Sequence, residues 1–147
     1  MPRNAVLYDE DFFAWTNEQA TLLRTGDLSL VDALNLAEEI ESMGKSLRRE
    51  LRSRLIVLLA HLLKWRHQPG FRSKSWSATA REQRREIRDL LTESPSLRAV
   101  VARELLRLYT EAREKAGDET GLPETTFPTE CPFTPEQILA PDFLPEG

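Results

Sequence analysis

Several things that would announce a function are scarce or missing in this 147-residue chain. It has one cysteine, two histidines and six glycines. A lone Cys131 cannot close an internal disulfide, which predicts a reducing, cytoplasmic setting. With no His or Lys beside it in sequence, the thiol reads as packed or merely exposed, not as a nucleophile. No apolar run is long enough to span a bilayer. The opening Met-Pro-Arg-Asn lacks a signal-peptide core, so neither a membrane protein nor a secreted one is expected. Gly-x-Ser-x-Gly, Gly-x-x-x-x-Gly-Lys and Glu-x-x-His are all absent, which removes the commonest serine-nucleophile, phosphate-loop and helical-bundle metal signatures. His61 and His67 are six apart, about 240° round a helix, and cannot share an ion from one regular helix. No metal, no cofactor and no catalytic residue is expected.

What is present is helical periodicity and an uneven charge. Residues 1–44 carry two basic and nine acidic side chains, residues 45–88 thirteen and three, and residues 89–147 five and twelve. Net charges of −7, +10 and −7 sum to the overall −4. Such a pattern marks either a surface for nucleic acid or an acidic partner, or internal complementarity between acidic ends and a basic middle. In a chain acidic overall the second is favoured, because net repulsion weakens non-specific phosphate binding.

The most apolar stretch, Leu55 to Trp65, ends a stripe of Leu36, Ile40, Met43, Leu47, Leu51, Leu58, Leu62 and Trp65. At about 100° per residue these fall on one face, and beyond Arg54 the apolar residues go nearly all the way round. The pattern predicts one long helix, from about 30 to 67, that enters a core at its far end. Gly44 could break it, at about 1 kcal/mol relative to Ala; a continuous helix is expected, stopped by Pro69-Gly70.

Around it the periodicity predicts helices over 9–25, 74–93 and 95–116. Gly26 would end the first, and Ser29 to Asp32 would form a capping box for the long helix. Ser73 or Ser75 would cap the third, and Ser94-Pro95 would open the fourth. Thr134-Pro-Glu-Gln137 reads as cap, first-turn proline and capping-box glutamine of a short fifth helix near 135–140. The fold expected is all-α: a single domain with four main helices bundled over 9–116 around the long one. A proline-rich tail over 117–147 should lie back on it, because Phe127, Phe133, Ile138, Leu139, Phe143 and Leu144 are too apolar for a disordered segment.

The order of motifs resembles a bacterial family catalogued as domain of unknown function 29. The resemblance is carried by Asp11-Phe-Phe-Ala-Trp-Thr, Asn35-Leu-Ala-Glu-Glu-Ile-Glu-Ser-Met-Gly and Leu58-Leu-Ala-His-Leu-Leu-Lys-Trp. Ser75-Trp, Gln83-Arg-Arg-Glu-Ile, Ser94-Pro-Ser-Leu, Leu122-Pro and Thr126-Phe-Pro-Thr-Glu-Cys-Pro-Phe continue it, so that it covers roughly residues 8–146. It implies an all-helical fold in a small bacterial protein and carries over no reaction, ligand or catalytic residue.

Two constellations remain as candidate sites. Glu50, Arg54 and His61 project near the seam of the long helix, and Gln19, Gln83 and Glu104 occupy seam positions on its neighbours. Together they predict a buried polar network, with His61 bonded to Gln83, Gln19 or Glu104. An open cleft beside His61 would make it an acid–base pocket, and a closed one a device that fixes helix pairing. The second constellation is Arg81, Arg84, Arg85 and Arg88 on one face of the third main helix, with Arg72 and Lys74 at its start. These are candidate contacts for an anionic partner, although Glu82 and Glu86 interleave and no aromatic pattern suggests base stacking. A protein-interaction module without catalytic activity is the favoured function. Nucleic-acid or acidic-partner binding through the basic middle comes next, and an enzyme or ligand-binding pocket at His61 after it.

Overall fold

A computed structural model describes residues 3–146, with side chains from Val6. Among the described residues six α-helices follow one another: α1 Arg3–Glu10, α2 Phe12–Thr25, α3 Ala33–His67, α4 Lys74–Glu93, α5 Leu97–Thr120 and α6 Pro135–Leu139. Short 3-10 turns lie at Leu28–Leu30, Pro69–Phe71 and Glu124–Thr126, and the described residues include no strand. The all-α expectation holds. The chain forms two compact units, the first ending at Ser46 and the second beginning at Leu47. The long helix α3 runs unbroken through Gly44.

In the first unit the expected single helix over 9–25 is two helices. Asp11 breaks the run: its carboxylate accepts from the Ala14 amide at 3.0 Å and caps α2. An aspartate in that role satisfies an amide that the helix itself leaves unpaired. Asp9 and Glu10 therefore close α1 and do not open α2. Gly26 ends α2 in the left-handed region at φ 81°, and its N–H reaches the Leu22 and Leu23 carbonyls. Only glycine adopts that conformation without steric cost. No capping box forms at Ser29, because Leu28–Leu30 curls into a 3-10 turn. Asp32 instead joins the elements: its carboxylate accepts from Trp15 Nε1 at 3.1 Å and Asn35 Nδ2 at 2.8 Å, while its amide donates to Gln19 Oε1 at 2.7 Å. Tyr8, Phe12 and Trp15 pack ring against ring, and Tyr8 donates its hydroxyl proton to Glu39.

The second unit holds the core. Leu51, Leu55, Leu58, Leu59, Leu62 and Leu63 of α3 are fully buried, and Ala80, Ile87 and Leu91 of α4 and Val101, Leu108 and Ala112 of α5 belong to the same cluster. Over Ile40, Met43 and Leu47 the same stripe lies exposed. Ser73 caps α4 through the Trp76 amide at 3.1 Å. Helix α5 departs from expectation at both ends. Ser94 is the C-cap of α4, so α5 begins at Leu97; it then passes through Gly117 and stops at Gly121, φ 73°. The tail is fastened by side chains that donate to its backbone carbonyls. Arg84 Nε reaches Ile138 at 2.9 Å, Arg113 Nε reaches Phe127 at 3.1 Å, and Tyr109 donates to Pro128. Phe127, Phe133 and Ile138 are buried, and Thr134 and Gln137 form the expected capping box of α6.

Candidate functional sites

The six residues expected to share one polar network do not meet in one. Arg54 gathers the first cluster: it donates to Glu50 at 3.1 Å and Gln83 at 3.2 Å and lies 3.8 Å from Glu86, joining α3 to α4. Glu104 belongs to a second, held by Arg52 through bonds of 2.6 and 3.2 Å with Arg107 at 3.8 Å. The hydrogen bond from Arg52 draws the Glu104 carboxyl below its usual range. Gln19 makes its bond inside the first unit, to Asp32. His61 is half-buried and its Nδ1 lies 2.9 Å from its own helix's Val57 carbonyl, not from Gln83, Gln19 or Glu104. Burial pulls its pKa down, so the ring is neutral at neutral pH. The wheel position of His61 is apolar enough for a core residue, but a histidine four residues after a helical carbonyl can satisfy itself locally.

The ion pairs that sequence reasoning missed include Lys64 and Glu119. Lys64 is buried, 3.3 Å from Glu119 and 5.0 Å from the centre of the Trp76 ring. Burial alone would raise Glu119, but the Lys64 ammonium, Lys115 and His61 together outweigh it and hold the carboxyl low. The signal was a lysine inside the apolar run. With Arg52–Glu104, this pair joins the basic middle of the chain to its acidic last third.

The arginine face is smaller than expected. Arg84 falls on the buried seam between Ala80 and Ile87, and spends its guanidinium on the Gln137 and Ile138 carbonyls. Arg72 turns back to the Trp65 carbonyl at 2.7 Å and stacks over that indole at 5.1 Å. Lys74, Arg81, Arg85 and Arg88 are exposed. None of these four is in an ion pair among the described residues. Beside Arg88 runs a groove of two adjoining depressions, of about 360 and 200 Å³. Leu91, Leu139 and Arg98 line both. His61 lines neither.

A different surface stands out in the first unit. Trp15 and Gln19 are its only buried side chains among those described, whereas Phe13 is 75% and Leu34 84% exposed. Phe12, Leu23, Leu28, Ile40 and Met43 are exposed as well. Cys131, in the tail, is half-buried against the core, and burial raises its thiol pKa, the opposite of an activated nucleophile. Among the described residues no three His, Cys, Asp or Glu side chains gather as a metal site, and no helix is long and apolar enough to cross a membrane.

A family model described as Domain of unknown function DUF29 matches residues 7–144. The chain belongs to that family. No curated protein and no solved structure matches it. Family membership accounts for the order of motifs along nearly the whole chain and leaves the activity to be argued from the surfaces just described.

Proposed function

We propose that the protein is a non-catalytic interaction module whose first unit docks onto another protein. The observation that carries this is the apolar surface of that unit, where among the described residues one large apolar side chain is buried and eight are exposed. Large apolar side chains left exposed in such numbers over so small a core mark binding surfaces. The charge of the segment defines the occupant: residues 1–44 hold nine acidic and two basic side chains. An amphipathic helix with an apolar face and lysine or arginine edges satisfies both features.

A labelled leucine–lysine amphipathic peptide, titrated against the full chain and followed by fluorescence anisotropy, tests this. Saturable binding is expected, weakened about ten-fold or more by Ile40→Ser with Met43→Ser, as for loss of apolar anchors that share one face of α3. Equal binding by wild type and variant would sink the reading, as would equal binding of a serine–lysine peptide without the apolar face. The weaker reading, nucleic acid on Arg81, Arg85 and Arg88, is favoured only by their unpaired exposure. Salt-steep binding of a DNA duplex, lost in Arg81→Glu with Arg85→Glu, would put it first.

A further inference from the structure

The groove along α4, α5 and α6 has a polarity of its own. Its smaller depression is lined by Arg84, Arg88 and Arg98 with Leu91, Leu139 and Pro141. Its larger one is lined by Leu91, Val101, Ala102, Pro135 and Leu139, with Arg98 and Glu136. Arg84 is committed to the tail's carbonyls, but Arg88 and Arg98 are in no ion pair among the described residues. The smaller depression therefore offers the unengaged guanidinium of Arg88, that of Arg98 stands where the two depressions meet, and the larger continues over mainly apolar side chains. Glu136 repels an anion from the larger depression, and Asp142 lies close enough to act on Arg84. Such an arrangement orients an amphiphile: an anionic head against Arg88 and Arg98, a short apolar tail over Leu91, Val101 and Leu139.

We propose that this groove binds a medium-chain carboxylate, such as an eight-carbon fatty acid, with its head at Arg98. Planar guanidinium groups pair with carboxylates through two parallel bonds. The volume of the larger depression falls in the range of small-molecule sites. The site belongs wholly to the second unit and is independent of the docking surface of the first.

Octanoate and octanol share the tail and differ in the head, so the pair isolates the arginine contribution. Calorimetric titration of the full chain should show saturable octanoate binding that weakens with salt, and weaker octanol binding. Arg98→Gln should weaken octanoate about ten-fold, the usual loss for a charged hydrogen bond, while leaving octanol unchanged. Methyl resonances of Leu91, Val101 and Leu139 should shift on titration. Equal affinity for the two ligands, an unaltered Arg98→Gln, or no saturable binding at millimolar octanoate would each overturn the proposal. Shifts confined to Leu34 and Ile40 would overturn it too, while leaving the first unit's apolar surface in place as a docking face. Arg98 is exposed, so a folded variant is expected, and an unchanged circular dichroism spectrum verifies it.

Discussion

The two units differ in what they do with their apolar residues. From Leu47 onward leucines are buried in rows, and Leu47, Phe71 and Leu106 are the large apolar side chains left exposed. Up to Ser46 the ratio is inverted, and hydrogen bonds take over what packing does elsewhere: Trp15, Gln19 and Asn35 all converge on Asp32. One unit is stabilised mainly by removing apolar area from water and the other by a polar hub beneath an apolar exterior.

Substitutions can break that contrast. The largest effect is expected at Leu58, fully buried in α3, where Leu58→Ala should cost about 2–5 kcal/mol by urea unfolding. A loss of a few tenths would mean that the second unit does not rest on its leucine core. Arg84→Ala comes next: it strands the Ile138 and Gln137 carbonyls, for about 1–3 kcal/mol. The variant should also expose residues 127–144 to limited proteolysis, whereas Arg85→Ala should do neither.

The pH dependence is gentler. Burial lowers the pKa of both His61 and His67, so the unfolded chain binds protons there more readily than the folded one. Stability is then full above the ordinary imidazole value of 6.5 and declines as pH falls below it. Removing both rings (His61→Gln with His67→Gln) should flatten thermal-midpoint curves in that window, and an unchanged slope would assign the decline to other groups. Smallest of all, Ile40→Ser should alter stability by no more than about 0.5 kcal/mol, since Ile40 is 62% exposed. A loss comparable to that of Leu58→Ala would erase the distinction between the units.

Helix identity was legible in the sequence because periodicity reports which face is apolar, and α3, α4 and α6 lie within a few residues of expectation. Boundaries were less so where one residue can serve two roles. Asp11 could lie inside a helix or cap one, and Ser94 could open α5 or close α4; only the backbone geometry decides. The candidate sites were the least legible. A helical wheel places His61 and Arg84 by angle alone, and cannot show that a Val57 carbonyl satisfies the first or that a tail 54 residues downstream absorbs the second. The exposure of Ile40 and Met43 escaped for a related reason. Their stripe is continuous with that of Leu51 and Leu58, and periodicity tells which residues share a face but not whether anything covers it.

The fastening of the tail has a consequence for how this protein tolerates change. Arg84, Arg113 and Tyr109 all grip main-chain oxygens, at Ile138, Phe127 and Pro128. A main-chain oxygen is supplied by any amino acid, so the specificity of the clasp is written in the donors alone. A saturation library should show Arg84, Arg113 and Tyr109 intolerant of nearly every replacement. Pro128, gripped just as firmly, should accept many, because what is held there is the one part of a residue that mutation leaves in place.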